Sequence, residues 1–269
     1  MKKIALSLWI LSIVVSIYGC KETKKDDNSN SQTKKIADSS NSQTKKIEER
    51  KITTDKKYNE MARYIAGLSQ QENDELKKYE EDAAWKSYAQ ESDAKWSRLK
   101  KGKLLKMKNW AEEALKEPNQ KGGLLFYPFS GADFLHAQTL FPDVDNVVMI
   151  GLEPIGTPLS VEKIAKKNTS YFSALNKAGY FLAEFSFFRT NDMAIDLTGK
   201  RSVEVDGTIH LIMLYLAQLD NEIINYEKIA INAEGKVVLA NEYKNDDNKK
   251  VVYGNKIYFK KKADDKIRS

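Results

Sequence analysis

Cysteine occurs once in this chain of 269 residues, at position 20, so no intramolecular disulfide can form whatever the compartment. Histidine occurs twice, as His136 and His210, which leaves little material for imidazole-based chemistry. The glycines never fall into G-x-G-x-x-G, so the dinucleotide fingerprint is absent, and there is no G-x-S-x-G elbow for a hydrolase serine. A long apolar run is missing too. The longest, Ile4 to Tyr18, is too short to cross a hydrocarbon core of about 30 Å as a comfortable helix. Charge imbalance is confined to the first part of the chain. Residues 21–57 hold 11 Lys/Arg against 7 Asp/Glu, whereas residues 58–269 hold 31 of each, which argues against nucleic acid as a partner.

What is present begins with MKKIALSLWILSIVVSIYGC. Lys2 and Lys3 form a positive start, Ile4 to Tyr18 an apolar core, and Gly19 a small residue before a cut site, the pattern of a secretory signal. Ile17-Tyr18-Gly19-Cys20 resembles the bacterial lipobox, although Tyr18 is bulkier than the residue usual there. The resemblance implies diacylglycerol on the Cys20 thiol, cleavage after Gly19 and acylation of the new N-terminus. The alternative is an ordinary signal peptide or signal anchor with an incidental cysteine. Several acyl chains at about 0.8 kcal/mol per buried CH₂ make a durable anchor. Lys21 in place of Asp after the cysteine favours, by the same resemblance, an outer-membrane destination facing the periplasm or the surface.

Residues 20–57 then read as the lipidated cysteine and a disordered tether. The segment SNSQTKKI stands at 29–36 and again at 40–47, and the composition offers too little apolar surface to offset the entropy of ordering. Its lysines suit a solvated spacer with weak attraction to anionic lipid or cell-wall polymer.

From residue 58 to 121 the spacing predicts helices. Tyr58, Met61, Ile65 and Leu68 recur at three and four, as do Trp85, Tyr88, Ser92, Trp96 and Leu99, and a third set runs through Leu105, Trp110, Ala111, Ala114 and Leu115. These aromatics are expected in a core, with a carbohydrate platform as the alternative. Residues 122–269 change character. LLFYPF (124–129), a helical stretch at 130–141 and NVVMIGLEP (146–154) predict a βαβ unit with parallel strands. A helix over 160–178, a third strand at 179–188 and a buried helix at 207–219 follow. A hairpin at 228–240 about Glu234-Gly235, a strand pair at 249–261 and frayed basic residues from Lys260 to Ser269 complete the reading. The predicted fold is α/β: an N-terminal helical layer, then a Rossmann-like three-layer sheet with a C-terminal β-hairpin.

Candidate chemistry gathers at the strand ends. Ser130 and Gly131 occupy the turn where doubly wound folds bind ligands, and Glu153 ends the next strand where a ribose-binding carboxylate would stand. A Rossmann-like methyltransferase with the amides of 130–132 around its cofactor is one reading. A capping box between Ser130 and Asp133 is the other. Asp133 and His136, three apart on one helix face, would with Glu153 make an acid–base or metal cluster. A structural histidine is the alternative, and we assign no metal. His210, within an apolar helix, is expected to be a hydrogen-bonded core residue. Thr190, after the third strand, would converge with Ser130 and Glu153 if all three strands are parallel. No cofactor follows from these residues.

Finally, the segments AxYIAGL (62–68), FYPFSGADFL (126–135), GLEPIG (151–156) and FFRTNDM (187–193), with the spaced tryptophans, resemble an uncharacterised family of exported bacterial proteins. The resemblance covers roughly residues 60–240 and implies no activity. It also implies that members run on past the position of Ser269. The expectation is a membrane-anchored envelope lipoprotein whose folded part binds a ligand, an envelope protein or a cell-wall partner. The competing expectation is an exported hydrolase or transferase using Ser130, Asp133, His136 and Glu153.

Overall fold

Three short polar side chains start the helices of the N-terminal part. In the computed structural model, Asp55 accepts from the Lys57 amide (3.3 Å), Asn73 from Leu76 (3.0 Å) and Asp82 from Ala84 (2.6 Å). Each satisfies an orphan N–H of a first turn. They open α1 (Lys56–Ile65), α2 (Asp74–Glu80) and α3 (Ala83–Leu99). The structure describes residues 52–69, 72–119, 122–128, 131–151, 155–164, 169–185, 205, 207–233, 235–243 and 251–269, of which 132, 164, 169, 181, 182, 184 and 185 are described by backbone alone. These lie in one compact unit, Arg50–Ser269.

Apart from α2, which no periodic set marks, the helices fall where periodicity puts them, with one difference in kind. α3 does not stop before the third helix but passes through a π-helical segment, Lys100–Leu104, into α4 (Leu105–Ala114). The wider turn changes the phase of the helix faces. Trp85, Tyr88, Ser92, Trp96 and Leu99 are buried as expected, but beyond the π segment Leu104 and Ala111 face inward and Trp110 is 56% exposed. The stripe through Leu105, Trp110, Ala114 and Leu115 is therefore not a core face.

Next come β1 (Leu124–Tyr127), a 3₁₀ turn at Gly131–Asp133, α5 (Phe134–Leu140) and β2 (Asn146–Met149). β1 and β2 pair in parallel, with Leu124 opposite Asn146 and Tyr127 opposite Met149, so the predicted βαβ unit is present. Its strands are not the doubly buried kind that their unbroken apolar runs suggest: Leu124, Phe126 and Val148 stay largely exposed.

A short α6 (Val161–Ile164) leads to α7 (Thr169–Phe185). Here the expectation is overturned: residues 179–185, read as a third strand, are the last two turns of α7, and 186–188 lie outside the described residues. Gly179 is not a break. A Cβ there would stand 3.7 Å from the Leu211 and Leu214 side chains, so the position is packed against a second helix. Packing overrides its weak helix propensity.

The partner helix is α8 (Ile209–Gln218), apolar on every side and buried along nearly its whole length, as its sequence predicts. Ile209, Leu211, Leu214 and Leu216 are at most 1% exposed, each contributing roughly 2–3 kcal/mol of hydrophobic stabilisation. α1, α5, α7 and β3 surround it. Aromatic pairs fill the gaps between layers: Tyr64 stacks on Trp85 at 5.5 Å and Trp96 meets Tyr215 edge-on at 5.8 Å.

β3 (Asn221–Ile231), β4 (Val237–Leu239) and β5 (Val252–Lys261) form an antiparallel sheet in the order β4-β3-β5. The hairpin about Gly235 is as expected. Where a strand pair is expected over 249–261, Val252–Lys261 is one long strand, because β3 extends back to Asn221 and takes it as a partner along ten positions. The C-terminal residues are not frayed. Arg268 is buried, exchanges two backbone hydrogen bonds with Phe259, and holds Asp264 with both ends of its guanidinium at 2.8 Å. The Ser269 carbonyl accepts from Val147 of β2 (2.8 Å), so the last residues tie the antiparallel sheet to the parallel pair. The fold is mixed helix and strand built on small sheets. Among the described residues, no helix is long and apolar enough to cross a membrane.

Candidate functional site

The strand-end candidates can be placed only in part. Ser130, Glu153 and Thr190, like Cys20, lie outside the described residues. Gly131 is buried, with Thr208 Oγ1 at 3.4 Å and Ile212 Cδ1 at 3.6 Å of where a Cβ would stand, so its open side faces α8. Asp133 is buried at the end of the 3₁₀ turn and makes no side-chain cap to α5. Its charge helps raise the phenol pKa of Tyr127 to about 12, behind burial as the larger cause.

His136 is buried on α5. Its Nε2 lies 3.2 Å from the Ala183 carbonyl of α7, and Lys103 Nζ donates to the same oxygen at 2.9 Å. Burial, then the neighbouring Lys103 ammonium, push the imidazole down to about 4, against a smaller upward pull from the carbonyl. The ring is neutral near pH 7, and a carbonyl partner requires the Nε2–H tautomer. Nδ1 is then an acceptor with no partner among the described residues. His136 therefore joins α5, the π segment and α7. His210 is buried in α8 with Nε2 3.0 Å from the Thr157 carbonyl, the core role its sequence position suggests. Among the described residues no group of three His, Cys, Asp or Glu side chains is placed to hold a metal ion.

A second place has the shape of a site. Where α3 lies along α7, Ala84, Ser87, Tyr88, Glu91 and Lys95 face Phe172, Ser173, Asn176, Lys177 and Tyr180 across an open cleft of about 410 Å³. On each helix these positions are three, four or one apart, which puts them on one face. The volume falls within the range of roughly 300–1,000 Å³ of small-molecule pockets.

Its floor is apolar and rigid. Tyr88 stacks on Phe172 at 5.0 Å, and the Tyr88 hydroxyl is consumed by the Ile65 carbonyl. One wall is charged: Lys95 pairs with Glu91 (2.5 Å) and stands 5.5 Å from the Tyr180 ring centre. Arg98 packs on the same ring and donates to its hydroxyl. Asn176 differs from all of these. It is only 7% exposed and lines the cleft, where its amide can meet a bound molecule.

The sequence reading missed this cleft. Ending α7 at 178 separated Tyr180 from Asn176, which are i and i+4 on one helix. The available signal was Ser87, Glu91 and Lys95, three polar residues at intervals of four beside the aromatic stripe of α3. Compared with known proteins, the chain matches no family model, no curated protein and no solved structure.

Proposed function

We propose that this chain is an exported lipoprotein, held on a membrane through lipid on Cys20, whose α/β part is a ligand-binding module with its site in the α3–α7 cleft. The observation that carries the reading is the cleft itself: the Tyr88–Phe172 ring pair forms its floor, and Ser87, Asn176 and Lys177 line it with polar groups. The anchor rests on the lipobox resemblance. The predicted tether is shorter than 21–57, because Asp55 caps α1 and its amide donates to the Ile224 carbonyl, so residues 21–54 act as the tether that lets the module reach past the membrane surface. An outer-membrane position facing the periplasm or the surface follows from Lys21.

A thermal-shift screen of the full chain in mild detergent, against sugars, peptides, nucleotides, methyl donors and divalent metals, tests the site. A ligand at a hundred times its Kd adds about 2.7 kcal/mol of stability. At least one class is expected to raise the melting temperature of the native chain and not of Asn176→Leu. Equal shifts in both proteins would refute the cleft as the site.

The second reading is an exported enzyme on a Rossmann-like extension of the parallel pair, with Ser130, Gly131, Asp133, His136, Glu153 and Thr190 about its mouth. It draws on the parallel β1–α5–β2 unit and on the convergence of Lys103 and His136 at one carbonyl. A nucleotide or methyl-donor shift that survives Asn176→Leu and is lost in His136→Gln would favour it.

A further inference from the structure

The cleft's charges sort possible ligands. Glu91 is neutralised by Lys95 at 2.5 Å, whereas Lys177, one residue beyond Asn176, has no ion pair among the described residues. The surplus is cationic and small, which suits a single negative charge on the ligand. Around it, Ser87, Ser173 and the Asn176 amide offer neutral donors and acceptors beside the apolar ring floor, the complement of a ligand that carries hydroxyl or acetamido groups and also an apolar ring face.

Phosphate fits less well. The polar side chains of the cleft sit beyond the first turn of α3 and α7, where backbone N–H groups are already used within the helix, so they bring none of the free N–H donors that hold phosphate. Lys177 is a lone ammonium rather than a guanidinium fork. The cleft is open along its length and its floor is a ring pair, which accommodates a ligand that continues beyond the contacted unit.

We propose that the α3–α7 cleft binds a carboxylate-bearing sugar, one or two rings of an acidic envelope glycan. Asn176 takes its acetamido or hydroxyl groups, the Tyr88–Phe172 floor lies beneath a ring, and Lys177 pairs with the carboxylate. The proposal rests on the reading of the cleft as a ligand site and adds the chemical class.

Isothermal titration calorimetry on the full chain in mild detergent tests it with three probes: the N-acetylglucosaminyl–N-acetylmuramic acid disaccharide, which carries a lactyl carboxylate, its neutral counterpart chitobiose, and inorganic phosphate. The acidic disaccharide is expected to bind at least tenfold tighter than chitobiose at low salt. Lys177→Gln should bring the two to the same affinity, and Asn176→Leu should weaken both at least tenfold, with near-ultraviolet circular dichroism reporting that each variant is folded. Chitobiose binding as tightly as the acidic sugar, with both lost in Asn176→Leu, would overturn the acidic class while leaving the cleft as the site. Sugar binding untouched by either substitution would overturn both. Phosphate binding alone, or no sugar binding by folded protein, would overturn the sugar class, and the screen of Asn176→Leu against other ligands would then decide the cleft separately.

Discussion

Acidification should unfold this protein ahead of its carboxylates, through His136. The imidazole titrates near 6.5 in an unfolded chain and is pushed down to about 4 in the fold, chiefly by burial and then by Lys103. Between those values the unfolded chain binds a proton that the native chain refuses, so stability falls as pH falls. The contribution is complete above pH 6.5 and is lost progressively down to about 4. At about 1.4 kcal/mol per pH unit the full span is worth roughly 3 kcal/mol, and roughly 2 kcal/mol of it is gone by pH 5. The assay is urea unfolding at pH 8, 7, 6 and 5, comparing the native chain with His136→Gln, whose amide keeps a donor for the Ala183 carbonyl. The native chain should lose about 2 kcal/mol more than the variant over that range, at unchanged m value. Parallel loss in the two proteins would show that His136 is not held neutral by its surroundings.

Other outcomes follow from the packing. Trp85→Ala, which removes a stacked ring and its hydrogen bond to the Tyr64 carbonyl (3.1 Å), should cost about 3–5 kcal/mol in urea unfolding, while Trp110→Ala should cost under about 0.5. Gly67 has φ +73° and would bring a Cβ to 3.1 Å of the Ala89 backbone, so Gly67→Ala should destabilise by about 1–3 kcal/mol in the same measurement. Arg268→Met should lower stability by about 1–2 kcal/mol by releasing the C-terminal tie. The same pair holds the Asp264 carboxyl down at about 2, so its contribution should be complete above pH 3.8 and be lost progressively as pH falls from 3.8 to about 2, read as the acid limb of native chain against variant. Labelled palmitate fed to expressing bacteria should enter the chain and be absent from Cys20→Ala.

The local signals in this sequence were sufficient where neighbours were close in the chain. The aromatic stripe of α3, the apolar α8, the β1–α5–β2 unit and the Gly235 hairpin are all short-range patterns, and periodicity alone locates them. Four features needed the folded chain. Gly179 reads as a break until Leu211 and Leu214 of α8 are packed against it. The π segment that turns Trp110 outward leaves no periodic trace beforehand. Arg268 and Ser269 look like a charged tail until Phe259, Asp264 and Val147 supply partners. The cleft, finally, belongs to two helices more than 70 residues apart, and only their alignment sets Asn176 and Lys177 of one across a space from Ser87 and Glu91 of the other. Hydrophobic spacing is written along one element, whereas helix continuation past glycine, the pairing of a terminal strand and an inter-helix cleft are set by contacts between elements.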